Sequence, residues 1–381
     1  MQTVFGHIVY TGEDVLEDTY VNFDGDTIIG ITDKPEGDVI GEYAVITPAF
    51  IDGHSHIGMI RAGEPNREAE ANEHMDAMLA HADALDSIQM DDAGFPASIE
   101  SGVLYACVVP GSGNIIGGNS AVIRNYGKNT NAALIRRAGI KAAFGYNPMS
   151  TREWKGTRPS TRMGALAILR AKLHDVRQKM AKEQAKEEAQ EASDVTYSAE
   201  EAVLKSLLAG EDRLRVHVHK TDDIAALLRF VDEFGLKVTL EHTGDVHEAG
   251  IYRELAERGI AVIYGPMDSL AYKVELKHEG WRNVKYLIES GVEYGLMTDH
   301  PVILQKMLLF ELRHFLRMGL SKQEALEIIT RKNAKILGID DILGTLEPGK
   351  WASFIGWNGD PFGLENYPVA AYGEGEKVFQ D

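Results

Sequence analysis

The run "FIDGHSHIG", residues 50–58, closes a short apolar segment with two histidines separated by one residue. Successive side chains of a strand alternate faces, so His54 and His56 project to the same side. Three further polar residues end comparable apolar runs: His217 in "RVHVHK", His242 in "TLEHTG" and Asp299 in "LMTDHP". Neutral imidazole and carboxylate are the usual ligands of zinc and related divalent ions, and three protein ligands plus water make a catalytic site. The order His-x-His, His, His, Asp at strand ends therefore points to a metal-dependent hydrolase.

Working outward from this run, residues 1–47 read as short strands with turns, including the Asp24-Gly25-Asp26 turn before "TIIGI". From Pro48 onward strand-like runs alternate with longer amphipathic segments: "VLYACVVPG", "IKAAFGY", "LRVHVHK", "KVTLEHTG", "IAVIYGP" and "EYGLMTD". That alternation marks repeated βα units and a parallel sheet. About eight such strands close most naturally as an α/β (β/α)8 TIM-like barrel, whose chemistry sits at the C-terminal ends of its strands. The expected organisation is a barrel over 48–343 and a small β-sandwich domain built from both chain ends, 1–47 and 344–381. Residues 171–200, rich in Ala, Glu, Lys and Gln, predict a long helix with a solvated face, frayed near Ser193.

Composition narrows the partners. A net charge of −19 argues against nucleic acid, because phosphate binding relies on clustered Lys and Arg. The balance fits a small-molecule substrate. The single cysteine, Cys107, excludes an intrachain disulfide and suggests a reducing compartment. "MQTVFGHIVY" lacks the basic and apolar pattern of a secretory leader, and no run reaches the roughly 18 apolar residues of a membrane span. A cytoplasmic location without membrane contact is the expectation.

With the ligands placed, the chain resembles the amidohydrolase superfamily, and more narrowly its imidazolonepropionase-related group. "VITPAFIDGHSHIG" is similar to the first barrel strand of that superfamily, Pro-Gly-Phe-Ile-Asp-x-His-x-His, with Ala49 in place of the glycine. "VHVHK", "TLEHTG" and "LMTDHP" resemble its fifth, sixth and eighth strands. "KNAKILGIDDILGTLEPGKWASFIGW" resembles the segment returning to the small β domain, where Ala352-Ser353 replaces the usual Ala-Asp. The resemblance implies a divalent metal, usually zinc, one or two per chain, with His54, His56, His217, His242 and Asp299 as ligands. It implies hydrolysis of a C–N bond other than a peptide bond, with Asp299 moving the proton and His242 polarising the carbonyl. Self-association is implied by the resemblance alone. Manganese, iron or nickel would be served by the same donors.

Several residues carry competing readings. His219 shares a face with His217 and is expected to reach substrate or support the ligand shell. His300, beside Asp299, is a candidate for substrate or supporting contact, and Asp299 itself could cap the following segment. Lys141, two residues into the apolar run "IKAAFGY", is costly to bury unless paired or modified, and is the candidate carboxylated bridge between two metals. Its plain alternative is an edge lysine with its amine in solvent. The Gly-rich stretch 109–123 reads as an irregular strand-to-helix loop at the barrel mouth, with Asn114 and Asn119 as candidate polar contacts. The loop 147–164 carries Arg152, Lys155, Arg158 and Arg162, and Arg162 is the candidate partner of an anionic substrate group. The preferred function is amide or cyclic amide hydrolysis by metal-activated hydroxide. The alternatives are a mononuclear heterocycle or amidine deaminase and a catalytically inactive metal-binding protein.

Overall fold

The structure is a computed structural model describing residues 1–381, the side chain of Asn66 excepted. Its strands are β1 (Gln2–Tyr10), β2 (Val15–Asp24), β3 (Thr27–Thr32), β4 (Asp38–Pro48), β5 (Phe50–Ser55), β6 (Val103–Val108), β7 (Ile116–Arg124), β8 (Leu134–Ala143), β9 (Leu214–Val218), β10 (Val238–His242), β11 (Val262–Tyr264), β12 (Tyr294–Leu296), β13 (Phe354–Trp357), β14 (Pro368–Gly373) and β15 (Glu376–Gln380). Both chain ends contribute to one seven-stranded sheet of order β15-β14-β13-β4-β1-β2-β3. This sheet curls until Ile28 and Gly349–Lys350 exchange backbone hydrogen bonds. It encloses a separate core that includes Val21, Phe23, Ile46, Phe354 and Tyr372.

Strands β5 to β12 form the second sheet, eight strands in sequence order that curve into a nearly closed barrel. The β5–β12 seam is held by Asp299 N donating to His54 O (3.1 Å) and His56 N donating to His300 O (3.0 Å). Asn333 staples the same seam from outside the sheet. Its amide donates to Ile51 O (2.6 Å) and Leu296 O (2.8 Å) and accepts from Leu296 N (2.9 Å). Gly53 allows the approach inside the barrel, since a Cβ there would lie 2.8 Å from Ile263 Cγ2 and 2.9 Å from Leu296 O. Amphipathic helices cover the outside; Thr221–Phe234, for example, buries Ile224, Leu227, Phe230 and Phe234.

The barrel departs from the all-parallel expectation at β7, which runs antiparallel to both β6 and β8. Only residues 109–115 separate β6 from β7, too short a link for the crossover that a parallel pair requires. The Gly-rich stretch 109–123 is thus a turn followed by a strand, not a strand-to-helix loop. Gly118, at φ +122°, lies where a Cβ would collide with the carbonyl of Ala82. The charged helix also differs from its expected bounds. It runs Arg162–Glu188, capped by Thr161 Oγ1 accepting from Gly164 N, and residues 189–198 are non-helical. Among the described residues no helix is long and apolar enough to cross a membrane.

Because Asn333 satisfies three buried backbone groups across the seam, Asn333→Ala is expected to cost about 3 kcal/mol of stability. The denaturation midpoint in urea should fall while the helical signal without denaturant stays unchanged. An unaltered midpoint would show that the seam does not need this amide.

Candidate metal centre

The C-terminal end of the barrel gathers the polar residues of five strands or strand ends, β5, β8, β9, β10 and β12. On the interior face, residues of one parity point inward, Lys141 of β8, Arg215 and His217 of β9, and Thr239 and Glu241 of β10, and His54 joins them from β5 past a break in the β5–β6 register. Alternation would send His242 outward. Its backbone instead turns into the left-handed region, with φ +79° at His242 and +56° at Thr243. The turn brings the His242 ring to 4.3 Å from that of His217 and 5.0 Å from that of His54. Asp299 is also left-handed, at φ +51°. Such conformations are costly outside glycine and concentrate at functional sites.

Around this point the contacts are close. Asp299 Oδ1 lies 3.1 Å from His56 Nε2 and 3.4 Å from His54 Nε2. Ligand atoms of His54, His242 and Asp299 lie within 4.8 Å of one another, and so do those of His217, His219 and His242. Lys141 has no exposed surface, and its Nζ sits 3.5 Å from His54 Nε2. That amine donates to Pro110 O (3.1 Å) and Ser112 Oγ (3.2 Å), so the solvent-facing alternative for Lys141 is not realised.

A second layer orients the rings. Glu241 Oε2 lies 3.0 Å from His54 Nδ1, while Glu241 Oε1 accepts from Arg215 Nη1 and Thr239 Oγ1, both at 3.1 Å. His56 Nδ1 lies 2.7 Å from Val109 O and His242 Nδ1 lies 3.0 Å from Gly265 O. Asp52 accepts from His54 N (3.3 Å), Thr298 N (3.1 Å), Gln305 Nε2 (3.1 Å) and the Thr298 hydroxyl, tying the first strand to the eighth. Burial pushes its carboxyl up to about 6.

Electrostatics prepare the rings as ligands. Burial lowers His217 and His242 well below the ordinary histidine value, lowers His56, and takes His219 down to about 4. These imidazoles are therefore neutral bases near neutral pH, the form that binds a metal. Burial alone would raise the Asp299 carboxyl, but the electrostatic interaction with the adjacent His242 ring and the His54 and His56 hydrogen bonds outweigh it and hold it far below the carboxylate range. Burial likewise opposes ionisation of Glu241, and the His54 hydrogen bond and Arg215 charge overcome it. Burial lowers the Lys141 amine to about 8.

The donor set fits a divalent ion. Both ring nitrogens of His217, Nδ1 of His219 and Nε2 of His242 are buried without a hydrogen-bond partner among the described residues. Orphaned buried polar atoms are rare in folded chains, because each carries an unrecovered desolvation cost. One ring nitrogen from each of these three histidines, gathered beside an ionised carboxylate, is what a metal would satisfy.

The adjoining cavity, about 680 Å³, is lined by His56, His217, His219, His242 and Asp299 on its floor. Trp154, Tyr272, Lys273 and Glu279 contribute to its walls. The other sequence candidates lie elsewhere. Arg162 lines a neighbouring cavity and is held by Asp223, at 2.6 Å from Nε and 3.1 Å from Nη2. Among the described residues, the lysine lining the cavity over the cluster is Lys273, whose Nζ donates to Asn147 Oδ1 (2.8 Å) and Glu275 Oε1 (3.1 Å). Asn114 pins the loop beneath the mouth by donating to Glu73 O (3.0 Å) and Asp76 O (2.7 Å), and does not line the cavity. His300 is buried behind Asp299, its Nδ1 accepting from Gln305 N (3.1 Å), also outside the lining.

Sequence reasoning passed over Arg215, Glu241, Lys273 and Glu279. The first two carried a usable signal, since each is a charged residue inside an apolar strand run, the argument applied to Lys141. Lys273 and Glu279 lie on a long loop after β11, where no periodicity marks direction.

The amidohydrolase family model matches residues 45–377. A crystal structure of an amidohydrolase from Thermotoga maritima MSB8 superimposes with a TM-score of 0.93 at 29% identity, over all of both chains. Amidohydrolase tasK of Hapsidospora irregularis is 24% identical over an alignment of 380 positions that covers 92% of this chain and 38% of that protein. A 5-methylthioadenosine/S-adenosylhomocysteine deaminase of Desulforudis audaxviator (strain MP104C) is 27% identical over an alignment of 187 positions that covers 42% of each chain. The chain thus spans less than half the length of these two curated relatives. Members of the matched family generally bind a divalent metal, and the buried His and Asp groups are ones that could hold it. With the model spanning nearly the whole barrel and the returning strands, the chain belongs to the amidohydrolase family.

Proposed function

We propose that this chain is a two-metal hydrolase that cleaves an amide or cyclic amide C–N bond in a small molecule. The observation that supports this reading is the position of Lys141, fully buried and 3.5 Å from His54 Nε2 at the centre of the cluster. A buried ammonium there is expensive, whereas a carbamate formed from the amine and carbon dioxide turns it into a bidentate anion. Carboxylation forms one N–C bond and releases one proton, and needs the neutral amine that burial favours. His54, His56, His217, His242, Asp299 and carboxylated Lys141 would hold the ions, zinc being the first choice for this donor set. Bound divalent ions supply a water of lowered pKa and polarise the scissile carbonyl.

The chain's own groups do the rest. Asp299, at the cavity floor, takes the proton of the attacking water and delivers it to the leaving nitrogen. Lys273 and Glu279 face the substrate from the wall, and the place of Arg162 as receptor of an anionic substrate group passes to Lys273. Glu241 fixes the tautomer of His54, so that Nε2 presents its lone pair to the centre. The narrower grouping with imidazolonepropionase relatives belongs to this reading through the motifs at residues 45–58 and 332–357. The second reading, one-metal deamination, is favoured by the deaminase among the similar proteins.

The products separate the readings. Zinc-loaded protein incubated with pools of N-acyl amino acids, cyclic amides and amino-substituted heterocycles should release amine or ring-opened acid without ammonia. Ammonia release would favour deamination, and no metal-dependent turnover in any pool would favour an inactive binding protein. The oriented His54 gives an independent check. Glu241→Gln should weaken metal affinity about 10- to 100-fold in competition with a chelator. Unchanged affinity would remove Glu241 from the support of the centre.

A further inference from the structure

A second cluster of metal-ligand side chains stands at the rim of the barrel mouth, outside the ring described above. Asp245 follows β10, and only 2% of its surface is exposed. His247 is two residues further on, and His278 comes from the long loop after β11. Asp245 Oδ1 accepts from His278 N at 2.7 Å, and Oδ2 lies 3.3 Å from His278 Nδ1. His247 Nδ1 lies 2.8 Å from the Asp245 carbonyl oxygen. The two imidazoles pack with centroids 4.1 Å apart and planes tilted by 36°. One ligand atom from each of the three residues lies within 4.8 Å of the others.

The framework behind the cluster is fixed. Asn283 Nδ2 donates to His278 O (2.8 Å) and Gly244 O (3.4 Å), joining the two loops next to the three side chains. The carboxylate is buried and the two rings are exposed, so the anion is in place and the rings are free to adjust. Two imidazoles and a carboxylate suit zinc, nickel or copper, and do not suit magnesium or calcium, which prefer oxygen alone. Ligand atoms on a tetrahedral ion at about 2.1 Å lie roughly 3.4 Å apart, a closure that rotation of the exposed rings can supply.

We propose that Asp245, His247 and His278 bind one divalent transition-metal ion, separate from the central cluster. The ion ties the loop after β10 to the loop after β11. The second of these loops supplies Ser269, Lys273 and Glu279 to the cavity wall, so occupancy of the rim site braces that wall.

Equilibrium dialysis of the full chain against graded zinc tests this directly. The wild type should bind one equivalent more than the His247→Ala/His278→Ala variant. The difference between the two proteins counts the rim site whatever the central cluster holds, so failure of the two-metal reading leaves the test intact. His247→Gln, a change at an exposed position, serves as a second variant if the double substitution disturbs folding, and should also lose the equivalent. Zinc should in addition slow tryptic cleavage at the exposed Lys277 in the wild type and not in the variants. Equal zinc binding by wild type and variants, or equal protection of Lys277, would overturn the proposal.

Discussion

The centre depends on one buried carboxylate, Glu241. It has no exposed surface and carries a negative charge between His54 Nδ1 and the guanidinium of Arg215, itself almost wholly buried. Removing either partner would leave an uncompensated charge in a low-dielectric interior, a change that costs several kcal/mol. With both present, the pair sets the polarity of the whole barrel end. It fixes the His54 ring, leaves Nε2 facing Asp299 and Lys141, and lies one residue before the backbone turn that carries His242 inward. The left-handed φ at His242 is what lets two consecutive residues serve the same interior.

Much of this was legible in the chain. The His-x-His, His, His, Asp order at strand ends pointed to residues that the barrel brings within a few ångströms of one another, and Lys141 stood out as a charge on an apolar strand. The same signal lay unused at Arg215 and Glu241. Direction was harder to read. β7 looked like a loop because Gly117, Gly118 and Asn119 lack strand propensity; the backbone at Ala82 packs against Gly118 and Asn119, and Pro110 and Gly111 crowd Gly117. Nothing local announces an antiparallel member in a series of parallel strands except the shortness of the link before it.

Side-chain destinations on loops were the least legible. Arg162 looked available to a substrate because it stands in a basic loop of a net-acidic chain, but Asp223, on a helix far along the sequence, holds it in a two-bond pair. Asn114 stabilises a loop for the same reason: its partners, the carbonyls of Glu73 and Asp76, come from a segment without a recognisable pattern. Lys273 and Glu279 reach the cavity through a long connection whose path only the fold determines. Specificity in barrels of this kind resides in such loops, while the strand ends carry the shared chemistry.

In the proposed reading a carboxylated Lys141 would hold a second ion and go with amide hydrolysis, whereas a single ion would bring deamination or imidazolone-type ring opening forward, since His and Asp ligands serve all of them. The direct measurement is metal per chain in protein lacking the rim histidines, purified without added metal or chelator and compared with the same protein carrying Lys141→Ala. Two equivalents, falling when Lys141 is removed, is the predicted result. A single equivalent that is indifferent to Lys141 would contradict the two-metal account.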